Sequence, residues 1–207
     1  MSAIAFELPE DIKQVREGIR AFAMAEVIPR HEANRELLDN PRLKYEEDGR
    51  LSAPVRQLIK EVRMASASAG YYHMCVPENL GGSGFGMQAY YVCWEELFHT
   101  CGAQNWLMLY SLAHWAFGPS RLLEKVTDRA RDEILEHLMT GEKSMCFGLS
   151  EPDAGSDVAM IKTRAVQDDD GWLINGRKIW ISNAPIADYC ILFAVTDPAK
   201  RGAISAF

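Results

Sequence analysis

The chain has 207 residues, 48% of them hydrophobic and 25% charged, with a formal net charge of −7. That is enough chain for one large or two modest cores, and an acidic balance without a Lys/Arg cluster argues against nucleic acid as a partner. No apolar run nears the roughly 20 residues that cross a bilayer, and the opening stretch MSAIAFELPEDIKQ lacks the basic-then-apolar order of a secretion signal.

Leu8, Ile12, Val15, Ile19 and Phe22 recur in helical steps, with Pro9 suited to the first turn and Pro29 placed beyond the end. Residues 30–53 are polar and broken by Pro41 and Gly49, so they read as a surface connection with a short helix at 32–38. A second helix is predicted from Pro54 to Ala69, with Val55, Leu58, Ile59 and Val62 on one side and Gly70 after it. The glycines at 81, 82, 84 and 86 do not form GxGxxG and follow no clear strand, so they read as a turn feeding a helix. That helix carries Tyr90, Tyr91, Trp94, Leu97 and Phe98, and its adjacent Glu95 and Glu96 read as solvated or ion-paired. Residues 103–117 are apolar almost all round, which predicts a buried helix with His114 as a core or boundary histidine. Thr127 suits an N-cap, Ile134, Leu135 and Leu138 an apolar face, and Gly141 a helix end.

The period changes at Ser144. Residues 144–149, 163–168, 171–181 and 189–195 read as strands, with a hairpin turn at Asp169-Asp170-Gly171 and a second turn or a bulge at Asn175-Gly176. Residues 201–207 start a strand with no partner or closing turn, which suggests a sheet cut midway and a fragment of a longer protein. The fold class is α+β: an all-α domain at 1–143 followed by an incomplete β domain at 144–207. The five cysteines (75, 93, 101, 146, 190) show no CxxC pair or zinc spacing, which suits reduced thiols.

Residues 146–183 are the stretch richest in chemistry. A turn at Glu151-Pro152-Asp153-Ala154-Gly155 and a run ending in Trp180-Ile181-Ser182 would bring amides, hydroxyls and an indole to one end of a sheet. Such groups suit a planar cofactor with a polar edge. Trp180 as plain core is the competing reading, and Glu151 and Asp157 read as braces for the turn rather than as chemical groups.

Gly148-Leu149-Ser150-Glu151-Pro152-Asp153-Ala154-Gly155-Ser156-Asp157 resembles the signature of the acyl-CoA dehydrogenase family. Asn175-Gly176-Arg177-Lys178-Ile179-Trp180-Ile181-Ser182-Asn183 is similar to its companion segment, and Val76-Pro77-Glu78-Asn79-Leu80-Gly81-Gly82 to the loop after its second helix. Three departures are Met160, where a small residue is usual, Ser182, where threonine is usual, and a longer connection around residues 41–53. The resemblance implies a helical domain, a middle β-barrel-like domain and a C-terminal four-helix domain that this sequence lacks. It implies FAD, held by Phe147, Gly148, Leu149, Ser150, Gly155, Ser156, Trp180, Ile181 and Ser182. Ser156 also matches a contact to acyl-CoA, and Met108, Tyr110 and Ser111 lie where the family lines its acyl pocket.

The implied reaction is α,β-dehydrogenation of an acyl-CoA to the trans-2-enoyl-CoA, as in fatty-acid β-oxidation. A carboxylate base takes the α-proton while a β-hydride passes to the flavin. The family's base is a glutamate of the C-terminal domain, so no catalytic residue is assigned here and the 207-residue piece alone is expected to be inactive. Electron transfer flavoprotein is the implied electron acceptor, a dimer or tetramer the implied assembly, and the bacterial cytoplasm or an organelle matrix the implied location. An acyl-CoA oxidase, a flavin monooxygenase of the same fold and a non-catalytic binding remnant stay open as alternatives.

Overall fold

The computed structural model describes residues 7–113 and 116–207, so His114 lies outside the described residues. The chain divides into two compact units, Met1–Glu142 and Lys143–Phe207. The first is helical and the second is built on a sheet.

In the helical unit, α1 (Glu10–Phe22) buries Ile12, Ile19 and Phe22 from its predicted stripe. The chain does not leave the helix at Pro29. A π-helical turn, Ala23–Val27, runs straight into α2 (Ile28–Ala33), which places Pro29 in a first turn where its missing N–H and its ring do no harm. Two short helices follow, α3 (Arg35–Asp39) and α4 (Pro41–Lys44), the latter capped by the Asn40 side chain. A bridge between Tyr45 and Leu51 closes the loop before α5.

Helix α5 (Ala53–Ser68) buries Val55, Leu58, Ile59 and Val62, the predicted face. The glycine-rich stretch is a turn, as predicted, and feeds α6 (Met87–Cys101), which packs on α1. The contact with α1 contains a buried charge. Arg20 Nε donates to Glu96 Oε1 at 2.5 Å, and the Thr100 hydroxyl donates to the same oxygen at 2.9 Å. Hydrogen bonding from Arg20 outweighs burial and holds the Glu96 carboxyl below its ordinary range.

Among the described residues, the predicted helix at 103–117 is not formed. Trp106–Tyr110 makes only a 3-10 turn, with Leu107 and Met108 buried and Leu109 exposed. Hydrogen bonds from outside the segment explain the difference. Ser66 Oγ donates to the Ser111 carbonyl, and the Ala113 amide donates to the Tyr72 carbonyl at 3.0 Å. Backbone groups taken up by α5 and by the loop after it cannot continue an i→i−4 ladder. Helix α7 (Asp128–Met139) starts at Thr127, whose hydroxyl accepts the Ala130 amide, and ends before Gly141 at φ +72.

The sheet unit has five strands: β1 (Met145–Gly148), β2 (Arg164–Asp168), β3 (Gly171–Asn175), β4 (Tyr189–Val195) and β5 (Ile204–Ala206). β4 is the organising strand. It pairs in parallel with β1 and, at Val195, with β2, and it pairs antiparallel with β5. β2 and β3 form the predicted hairpin, with Asp168 opposite Gly171. Two expectations are corrected here. The last strand does have a partner, since Leu192 and Phe207 exchange both backbone bonds at 2.8 Å. The strand predicted over 171–181 stops at Asn175.

Directly after the stop, a Cβ at Gly176 would lie 2.2 Å from the Thr163 hydroxyl, so the position has room only for glycine. Four residues on, Trp180 sits at φ +56, outside the extended region altogether. Among the described residues, no helix is long and apolar enough to cross a membrane.

The buried carboxylate of the helical unit gives a test. Arg20→Met is expected to lower the thermal midpoint, because Glu96 then keeps only Thr100 as a partner. The double variant Arg20→Met/Glu96→Leu should recover part of that loss, since it leaves no buried charge without a partner. Thermal melts in which the double variant is less stable than the single one would refute this account.

Candidate functional site

The candidate site of the sheet unit is assembled around Glu151. A tight turn sets its position: the Glu151 amide donates to the Ala154 carbonyl at 2.9 Å and the Ala154 amide returns the bond at 3.2 Å. Its carboxylate points inward and accepts from the Lys162 amide at 2.5 Å, the Thr163 amide at 2.9 Å and Lys178 Nζ at 2.8 Å. Both charged side chains are enclosed, with 4% of Glu151 and 10% of Lys178 exposed. Burial alone would raise the Glu151 carboxyl; the Lys178 ammonium and the two amides outweigh it and hold it down to about 2.

The same lysine reaches a second partner, donating from Nζ to the Leu149 carbonyl at 3.0 Å. The Ile179 amide donates to the Ser150 carbonyl at 3.0 Å, and Asn183 Nδ2 donates to the Met145 carbonyl at 3.0 Å. Segments 145–151 and 178–183 are therefore tied together at three successive levels without being paired strands. Between the ties the chain bulges. Trp180 and Asn183 have φ of +56 and +68, and the Trp180 indole stands 88% exposed.

The site residues named from sequence fall into two groups. Phe147, Leu149 and Ser150 are half-buried beside the 179–182 segment, and Gly148 is buried on β1. The Phe147 ring packs on Phe193 at 4.7 Å between centroids. Ile181 is half-buried and Ser182 exposed next to Trp180. Gly155 and Ser156 lie exposed on the turn after Glu151, which leaves their backbone open to a ligand. Asp157 caps a short turn through the Ala159 amide at 3.2 Å and pairs with Arg201 at 3.3 Å.

Met108, Tyr110 and Ser111 belong to the helical unit. Met108 and Ser111 are buried in its core, and Tyr110 packs edge-on against Trp106 at 5.1 Å. The neighbouring Leu109 and Ala113 instead line an open cavity of about 1050 Å³, walled by Phe85, Tyr90, Trp94 and Phe117.

Sequence reading missed Lys178, Thr163 and Asn183. Lys178 carried a usable signal: with Arg177 it puts a cation directly before the apolar run Ile179-Trp180-Ile181. The Thr163 amide and the Asn183 amide side chain act through contacts that no local pattern announces.

The arrangement can present an indole face, hydroxyls and open amides on a rigid frame. Glu151 is not free to accept a proton there, because its carboxylate is already engaged by three donors.

Comparison with known proteins decides the family. Residues 9–142 match the acyl-CoA dehydrogenase N-terminal domain and residues 146–207 the acyl-CoA dehydrogenase middle domain. The chain belongs to the acyl-CoA dehydrogenase family. It is 35% identical over 200 residues to the caffeyl-CoA reductase-Etf complex subunit CarC of Acetobacterium woodii, covering 96% of this chain and 47% of that protein. It is 30% identical over 202 residues to the mitochondrial short-chain specific acyl-CoA dehydrogenase of Rattus norvegicus, covering 97% and 44%. Among solved structures, the FAD complex of PigA superposes with a TM-score of 0.68 at 26% identity, over 99% of this chain and 49% of that one. The chain thus spans about half the length of the curated relatives it matches. Met160, where the family signature ends in a small residue, is exposed on a short 3-10 turn, so its size meets little constraint there.

The Glu151 network predicts an acid dependence. A carboxyl lowered on folding from its ordinary 4.5 to about 2 adds stability that is complete above about pH 4.5 and is lost as pH falls toward 2. Glu151→Gln is expected to lower stability at neutral pH by on the order of 3 kcal/mol. The difference from the parent should shrink between pH 4.5 and 2 in urea titrations. A difference that stays constant across that window would rule out the ionised network as its source.

Proposed function

We propose that the complete protein to which this chain belongs is an FAD-dependent enzyme acting on the α,β carbon–carbon bond of an acyl-CoA thioester. The observation that carries the reading is the Trp180 indole, 88% exposed on a left-handed backbone and tied beside Ser150. A large aromatic group held outward on an unfavourable backbone gains nothing from the fold itself, and a planar ligand covering it accounts for the arrangement. The PigA structure, similar over nearly all of this chain, contains FAD.

In this reading Phe147, Gly148, Leu149 and Ser150 run along the isoalloxazine, and Trp180, Ile181 and Ser182 lie beside it. The Ser150 and Ser182 hydroxyls meet its polar edges. Gly155 and Ser156 meet the pyrophosphate through open backbone, and Ser156 also meets the acyl-CoA. FAD, when bound, supplies the hydride acceptor. Donors at its edge favour the reduced form by stabilising the negative charge it gains.

The proton-abstracting base is not Glu151, whose carboxylate is already fully engaged. Residues 1–143 and 144–207 act as an N-terminal helical domain and part of a middle domain. Electron transfer flavoprotein is the electron partner and a dimer or tetramer the working assembly, in the bacterial cytoplasm or an organelle matrix. The Acetobacterium relative, a subunit of a caffeyl-CoA reductase complex, favours a second reading, in which the same site reduces an enoyl-CoA double bond.

The test is anaerobic titration of the complete protein with acyl-CoA thioesters. Loss of the oxidised flavin absorbance is the expected result, followed by slow recovery in air for a dehydrogenase and rapid recovery for an oxidase. Protein purified without flavin, or flavin that no acyl-CoA reduces, would overturn the reading. Trp180→Ala is expected to weaken FAD binding about tenfold, or about 1.4 kcal/mol, in equilibrium fluorescence titration.

A further inference from the structure

We propose that Cys146 and Cys190 form a reversible redox pair, closed to a disulfide by a hydroperoxide and reopened by a thiol reductant. The two residues sit directly opposite each other on the parallel strands β1 and β4. Neighbouring strands lie about 4.8 Å apart, inside the range of about 4.4–6.8 Å that a disulfide accepts between Cα atoms. Partners opposite each other in a sheet present their side chains to the same face.

A second observation places the sulfur. A Cβ built on Gly148 would lie 3.1 Å from Cys190 Sγ. Gly148 is two residues beyond Cys146 and so shares its face of β1. The absent side chain at 148 leaves room for the Cys190 sulfur beside Cys146, and rotation about one bond turns it toward its partner.

The two thiols differ in access. Cys190 is exposed and Cys146 buried. Burial first, and then the adjacent Cys190 thiol, push the Cys146 thiol up to about 12, so Cys190 is the group that meets the oxidant. The Cys190 sulfur attacks the hydroperoxide: an S–O bond forms, the O–O bond breaks, and the alcohol leaves with the thiol proton. The Cys146 sulfur then attacks the Cys190 sulfur: the S–S bond forms, the S–O bond breaks, and water leaves with the Cys146 proton. Two thiols and one hydroperoxide thus give one disulfide, one alcohol and one water. The bond would staple β1 to β4 one residue from Phe147. This inference does not depend on flavin binding.

The test treats the whole chain with hydrogen peroxide, blocks remaining thiols with N-ethylmaleimide and digests it with trypsin without reductant. Mass spectrometry should find peptide 144–162 joined to peptide 179–200, lighter than their sum by two hydrogens. Dithiothreitol should restore maleimide labelling of Cys190, which peroxide should have reduced about fivefold or more. Cys190→Ser should abolish the linked peptide. Over-oxidation of Cys190 to the sulfinic acid, maleimide on both cysteines, or links only to other cysteines or other chains would each overturn the proposal.

Discussion

The sheet unit depends on one buried ion pair. Glu151 and Lys178 come from segments 27 residues apart and meet at 2.8 Å with almost no solvent around them. Removing two charges from water costs several kcal/mol per ion, and Coulomb attraction alone does not reliably recover it. Here the carboxylate also accepts two backbone amides and the ammonium also donates to the Leu149 carbonyl, so neither charge is left with an idle partner. That completeness turns an expensive feature into a geometric constraint. With Glu151 fixed by its own turn, Lys178 has one place to go, and Ile179 and Trp180 follow it.

The constraint explains why Trp180 can stand where it does. A left-handed tryptophan costs about 1–3 kcal/mol and persists only when its surroundings over-determine it. The bonds from Lys178, Ile179 and Asn183 on either side provide that determination. The result is an indole positioned before any ligand arrives, so a ligand that covers it need not order it first. The same network removes Glu151 from proton chemistry. The site thus holds an indole, hydroxyls and open amides in place while its buried carboxylate stays engaged in structure.

The helical unit shows a gentler version of the same physics. Glu96 is buried at the α1–α6 contact and is tolerated because Arg20 and Thr100 serve it. The stretch around Trp106–Tyr110 shows the opposite case, in which groups from elsewhere draw the backbone out of a helix. Its composition alone favours burial, and Leu107, Met108 and Leu112 are buried. Burial does not specify conformation, however, and bonds to Ser66 and Tyr72 decide it.

Local periodicity and end signals were enough to place most elements from the chain itself. The stripe of α1, the face of α5, the Thr127 cap and Gly141 stop of α7, the Asp168–Gly171 hairpin and β4 at Tyr189–Val195 all follow from interactions between residues near in sequence. The signature around Ser150 and its companion around Trp180 made the family legible for the same reason, as compact motifs. Tertiary structure alone decided the rest. It ended β3 at Asn175, gave the last strand its partner in β4, replaced a predicted helix with a 3-10 turn, and joined Glu151 to Lys178. Each of these outcomes rests on hydrogen bonds or steric contacts between residues distant in sequence. A local pattern records which side chains want burial or a partner; only the folded chain determines which partner is within reach.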